Sequence, residues 1–216
     1  MKRFRLRLWL DDRPGALGAV ASRIGSVKGD LVGIEILERG GGKVVDDLIV
    51  ELESDSLIEL MIKEILEVDG VAVEYVKDAS VLEGEGALIA LRFGAELGSY
   101  RSFDEKTEAL VKFLHDTLDA TWTAAIDIES GHFVCIEGEP PKAEWLVAFV
   151  KGATYEEATG DSSKATAPKE LTCASINGSK RAIVLMRTDH AFREAERQQI
   201  QYLSAILSSY LQMTDA

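Results

Sequence analysis

Cysteine, histidine, proline and aromatic side chains are all scarce in this chain of 216 residues. Its two cysteines, Cys135 and Cys173, are too few for a disulfide framework and read as buried apolar side chains rather than nucleophiles. The three histidines, His115, His132 and His190, stand far apart, and none has the pair spacing of a metal site. His132 and Cys135 lie three apart on one expected strand, so they point to opposite faces. No apolar run approaches the roughly 20 residues that span a bilayer. Arginine interrupts every apolar stretch of the N-terminal Met1–Leu8, which excludes a secretory reading. There is no Gly-x-Ser-x-Gly elbow, and Gly40-Gly41-Gly42 lacks the Lys-Ser/Thr of a phosphate loop. These absences lead us to expect a reduced, cytoplasmic protein with no metal, no cofactor and no catalytic residue set.

Positive charge is scarce too. Against 37 Asp and Glu there are 24 Lys and Arg, a formal net charge of −13. Both halves of the chain are acidic, which disfavours phosphate-backbone binding and docking on anionic membranes. What is abundant is ordinary core material. Hydrophobic residues make up 46% and charged residues 28%, the mix of a folded globular chain.

The first stretch has a clear rhythm. Phe4, Leu6, Leu8 and Leu10 alternate with Arg3, Arg5, Arg7 and Trp9, the period of a strand. Asp11 to Gly15 is turn chemistry, with Pro14 suited to a first helical turn. Leu17, Val20, Ile24 and Val27 have helical spacing, and Gly29 closes that helix. Residues 31–38 and 44–52 read as strands around the three glycines. Ser56 and Glu59 have capping-box spacing before a second helix, and residues 71–76 form a fourth strand. The order βαββαβ is the split βαβ, ferredoxin-like layout. In it the first and third strands are antiparallel neighbours, so Arg3, Arg5 and Arg7 oppose Asp47 and Glu51, which reads as a solvated salt ladder. Trp9, Leu37 and Ile49 share that face as an apolar patch. Residues 31–38 and 71–76 would be the two edge strands.

Residues 77–86 read as a linker. Beyond it we expect a short strand over Ala87–Phe93, a helix over Phe103–Leu118 and a hairpin over Trp122–Ile136. A short helix over Trp145–Val150 and a loop over Ala158–Lys169 follow. A second hairpin turns at Asn177-Gly178, and a long amphipathic helix runs over His190–Leu211. The fold class is therefore α+β, with domains at 1–78 and 86–216.

Two segments carry a family resemblance. Asp12-Arg13-Pro14-Gly15-Ala16-Leu17-Gly18, and Gly29-Asp30-Leu31-Val32-Gly33-Ile34-Glu35, resemble the signature of ACT domains, small regulatory modules that often bind amino acids between paired copies. Residues 86–212 resemble a short GAF domain, through their layout and the closing helix at His190–Arg197 and Tyr202–Ile206. GAF domains are sensory or dimerising modules. The resemblance implies ligand contacts at Asp12, Arg13, Gly15, Leu17, Asp30 and Leu31. Backbone amides at the helix start suit an α-carboxylate, and Asp12 suits an amino group. Amino-acid-binding members often carry asparagine and, two residues earlier, histidine where this chain has Asp12 and Leu10; Asp30 stands where asparagine is common. Two carboxylates near one pocket would favour a cationic ligand. The alternatives are a helix cap at Asp12, a turn residue at Asp30, and packing or turn roles for Gly15 and Gly18.

The expected function is a non-catalytic, amino-acid-sensing regulatory protein. Its partners would be a small-molecule ligand, a second copy of itself in a homodimer held through the ACT-like domain or the closing helix, and an unidentified downstream protein. A ligand-free adaptor, or a small-molecule enzyme using the C-terminal domain, are the alternatives.

Overall fold

The computed structural model describes residues 1–79, 86–159 and 168–212. The chain divides into two compact units, Met1–Ile89 and Ala90–Ala216.

The first unit runs β1 (Lys2–Asp11), α1 (Ala16–Ser26), β2 (Asp30–Gly40), β3 (Lys43–Leu52), α2 (Ile58–Leu66) and β4 (Ala72–Asp78). The sheet order is β2-β3-β1-β4, antiparallel throughout, which is the expected ferredoxin-like layout with β2 and β4 at the edges. Alternation along β1 and β3 sends Phe4, Leu6, Leu8, Leu48, Val50 and Leu52 into one core. Val20, Ile24, Met61 and Ile65 close it from the two helices.

Three local expectations are corrected. The helix start before residue 58 uses Ser54, whose side chain accepts from the Ser56 amide and caps a 3-10 turn over Asp55–Leu57; Ser56 and Glu59 form no capping box there. At the end of α1 the left-handed residue is Lys28, at φ 62°, not Gly29. The amides of Lys28 and Gly29 donate to the Gly25 and Ile24 carbonyls, a Schellman ending displaced one residue from the glycine. Third, the arginine ladder is solvated only in part: Arg3 and Arg5 are half-buried and Arg7 is buried. The register sets Arg3 against Glu51 and Arg7 against Asp47. Arg7 grips Asp47 by two hydrogen bonds, at 2.7 and 2.8 Å, and is 1% exposed, with the Tyr75 ring 5.1 Å from its guanidinium carbon. Leu37 and Ile49 on that face are buried as well, so they form no exposed patch.

The second unit contains an antiparallel sheet of order β6-β5-β8-β7, built from β5 (Trp122–Asp127), β6 (Phe133–Gly138), β7 (Leu171–Ile176) and β8 (Arg181–Met186). Its helices are α4 (Phe103–Thr117), α5 (Ala143–Thr159) and α6 (Glu194–Gln212), while α3 (Gly86–Glu96) crosses the division between the units. Both faces of the sheet are covered. Ala125, Ile183 and Leu185 pack with Leu110 and Leu114 of α4 and Ile200, Leu203 and Leu207 of α6. Ala124, Ile126, Ala182 and Val184 pack with Leu146 and Val150 of α5. The first and last helices thus share a face, as the GAF-like layout implies.

The expected strand over Ala87–Phe93 is a helix, α3. Phe93 of this helix and Leu97, which opens the 3-10 turn after it, lie four apart in the core beside α4 and α6, while Leu88 and Leu91 are exposed, so a short apolar run had the wrong period assigned to it. The expected helix at His190 begins instead at Glu194. Arg187 takes the His190 and Ala191 carbonyls and grips Glu196, whose carboxylate in turn accepts the Arg193 amide at 2.7 Å. The helix at Trp145 is longer than expected and reaches Thr159; residues 160–167 of the expected loop and 80–85 of the expected linker lie outside the described residues.

Candidate functional site

The β1–α1 turn is built around Asp11, a residue that sequence reading passed over. Its carboxylate accepts from Lys43 Nζ at 2.6 Å, and Lys43 also donates to the Gly70 carbonyl. The Lys43 ammonium, with help from Arg13, holds the Asp11 carboxyl below its usual range. Gly70 has φ +80°, and a methyl there would stand 2.0 Å from Asp11 Oδ2. Three connections therefore meet at one end of the sheet: the β1–α1 turn, the β2–β3 hairpin and the α2–β4 turn. The pairing of Asp11 with Lys43 across β1 and β3 was the available sequence signal.

Asp12 is exposed, and its amide donates to the Gly42 carbonyl at 3.0 Å. It does not cap α1. The cap position is Gly15, at φ 87°, with no side-chain cap, and the first turn holds no acidic residue. Arg13 is exposed and reaches the Asp69 carbonyl at 3.4 Å. Gly15 is the residue that the left-handed turn requires, since a side chain rarely adopts its φ. Leu17 and Leu31 are partly buried against the first core.

Asp30 and Leu31 lie at the opposite end of the sheet. Asp30 pairs with Glu51, which pairs with Arg3, so it is level with the start of β1. Eight residues of strand separate Arg3 from Asp11, about 27 Å at the antiparallel rise. Within one chain Asp12 and Asp30 therefore share no pocket, which corrects the expectation of two adjacent carboxylates.

The carboxylate that does approach the α1 end is Asp46. It sits on β3 between Leu8 and Ile36, is 3% exposed, and its Oδ1 accepts no hydrogen bond. Burial pushes its carboxyl above the ordinary value; Arg39 opposes this, while Asp47 and Asp12 add to it. Beside these groups, edge strand β2 exposes Val32, Ile34 and Ile36, each near 45%.

In the second unit a groove of about 590 Å³ opens between the start of α5 and the sheet ends, walled by Trp122, Pro140, Pro141, Trp145, Leu171 and Met186. Burial pushes the Cys135 thiol up to about 11, so it is protonated at neutral pH and a poor nucleophile. Among the described residues no three His, Cys, Asp or Glu side chains gather as a metal site, and no helix is long and apolar enough to cross a membrane.

No protein-family model matches the sequence, and no curated protein matches it at a significant level. Solved structures do match. An ACT domain from the GTP pyrophosphokinase of Chlorobium tepidum is 17% identical, covering 38% of this chain and 89% of its own, with a TM-score of 0.29. The C-terminal domain of the MgtC protein from Mycobacterium tuberculosis is 16% identical over 39% of this chain and 95% of its own, with a TM-score of 0.32. A GAF domain from Pseudomonas syringae pv. tomato is 10% identical over 60% of this chain and 87% of its own, with a TM-score of 0.38.

Proposed function

We propose that the chain is a non-catalytic regulatory protein that senses an amino acid at the N-terminus of α1 and transmits binding through paired ACT-like units. The observation that carries this reading is the α1 entry. Gly15 leaves the first-turn amides without a side-chain cap, next to a turn held rigid by Asp11 and Lys43. Such amides attract a carboxylate.

Pairing supplies the second half of the site. Two copies joined antiparallel along β2, with the two-fold at its middle residue Glu35, would set Asp30 of each copy against Gly40 of the other. That is the sheet end where Asp12 bonds to Gly42. The residues that lie at opposite ends of one chain would then converge across the seam. The exposed Val32, Ile34 and Ile36 favour such a seam, because an unpaired apolar edge is a liability until covered. A ligand that binds the pair better than the single copy shifts the equilibrium by its differential affinity, and the second unit reports the shift to a downstream partner.

The test is a thermal unfolding scan of the full chain against each of the twenty amino acids, with sedimentation velocity at micromolar concentration. A raised midpoint with a species of twice the chain mass is expected. The exposed β2 edge also suits a ligand-free adaptor; a dimer whose midpoint no amino acid moves would select that reading. A monomer unmoved by every amino acid would end both.

A further inference from the structure

The groove of the second unit has two tryptophans in its wall, and the chain is bent to put them there. β6 leaves its sheet at Gly138, which takes φ +77°; a methyl on it would stand 2.4 Å from the Thr121 carbonyl oxygen and 3.0 Å from Trp122. Only glycine passes Trp122 so closely in that conformation. Glu139, Pro140 and Pro141 then carry the chain along the groove toward α5. Trp145 stands in the first turn of α5 and stacks on Phe149 one turn later, with ring centroids 5.8 Å apart and planes within 3°, which fixes its ring. Leu146 and Val150 fill the sheet face under α5, so the open space of about 590 Å³ lies beyond that packing. Trp145 remains 49% exposed there, although Trp122 is buried.

The available charge in this wall has one sign. Glu139 is exposed and Glu170 half-buried, and among the described residues neither carboxylate has an ion-pair partner. The exposed Lys142 and Lys169 lie outside the lining. Arg187 belongs to it, but all five of its N–H donors are engaged, by Glu196 and by the Leu118, His190 and Ala191 carbonyls. An anion would meet two carboxylates and no free cation. Polar acceptors are scarce as well: the Met186, Glu170 and Pro168 carbonyls already accept the Thr121, Arg187 and Leu171 amides. A primary ammonium brings three donors that need partners as it leaves water, whereas a fully alkylated one brings none. We infer that the groove binds a small organic cation whose charge sits on a quaternary ammonium, its methyl groups against Trp122 and Trp145 and its countercharge supplied by Glu139 and Glu170. Tryptophan is the strongest aromatic partner for such a cation, and the space is that of a small-molecule site.

Isothermal titration of the full chain at constant ionic strength tests this, with choline as the probe. 3,3-Dimethylbutan-1-ol has the same shape with carbon in place of the charged nitrogen, and ethanolamine keeps the charge without the methyl groups. Choline binds saturably, and both analogues bind at least about tenfold more weakly. Trp145→Ala, checked for native circular dichroism, weakens choline by about 5- to 30-fold. The double variant Glu139→Gln, Glu170→Gln weakens it by at least about threefold, and it decides the matter if Trp145→Ala does not fold. A wild-type chain that does not bind choline overturns the assignment. So does an alcohol or an ethanolamine that binds as tightly as choline, or unchanged affinity in either folded variant. The result is independent of the α1 entry: a chain that binds choline and none of the twenty amino acids keeps this site and loses the amino-acid reading.

Discussion

Burial holds the Asp46 carboxyl above 3.8, against the pull of Arg39 and with Asp47 and Asp12 adding to it. A folded-state pKa above the unfolded one means that the folded chain binds more protons in that window. Stability therefore falls as pH rises from about 4 through the folded value, and the full penalty is present above it. Urea midpoints for Asp46→Asn are expected to exceed those of the wild type at pH 7 and to converge with them toward pH 4. At the end of α1 two neighbouring residues should respond in opposite ways. Lys28→Gly relieves a side chain held at φ 62° and should stabilise by about 0.5–1 kcal/mol. Gly29→Ala puts a methyl 2.8 Å from Ile24 Cγ2 and 3.1 Å from Leu52 Cδ2, and should destabilise by about 1–3 kcal/mol in chemical denaturation. Arg7→Met strands Asp47 in the interior, at a cost of about 3–5 kcal/mol by the same assay. Sequence reading placed Arg7 opposite Asp47 correctly, because the period of β1 and β3 sets the partners. It missed their burial, since nothing local to a strand states what covers its second face. Lys28 and Asp46 were illegible for a related reason: each breaks the rule of its own position.

Among the elements, those with a long, clean period were readable: β1, α1, β3, α4 and both hairpins of the second unit. α4 even has a reciprocal cap. Ser102 accepts from the Glu105 amide at 3.0 Å, and Glu105 accepts from the Arg101 and Ser102 amides. α3 was misread because Ala87 to Leu91 offers apolar residues without alternation, and only the partners of Phe93 and Leu97 decide its period. The start of α6 was misread because Arg187, just past the end of β8, occupies the carbonyls that a helix from His190 would have used. Edge strand β2 was identified as an edge, and its outward apolar face gives a direct experiment. The double variant Ile34→Lys, Ile36→Lys is expected to keep the native circular dichroism, since both side chains are 45% exposed, and to sediment as a monomer under conditions where the proposed β2 seam would give a wild-type dimer.

For the whole molecule the dominant number is the net charge of −13. Two such chains repel, and salt screens that repulsion over about 10 Å at 0.1 M. Self-association, followed by sedimentation equilibrium, should therefore tighten between about 20 mM and 300 mM sodium chloride. An interface held by ion pairs would weaken over the same range and would exclude the apolar β2 seam. The division into an α+β pair of layouts was legible from element order. The candidate site was only half legible, because Asp12 and Gly15 announce themselves in a turn while Asp46 comes within electrostatic reach of Asp12 through tertiary pairing alone.

The sheet of the second unit is dry on both faces, and that has a consequence for how it assembles. Its central strands carry Ala124 beside Ala125, and Ile183 beside Val184, one of each pair in either core. A slip of one residue would exchange near-equivalent side chains, so polarity does little to forbid it. Alignment must come from the ends: the turn at 177–180, where Gly178 takes φ +79°, and the Thr121 amide on the Met186 carbonyl at 2.7 Å. The chain must get that turn right before the interior can tell a correct strand from a shifted one. A bulky residue at Gly178 would therefore do its harm in the choice between two equally greasy alignments.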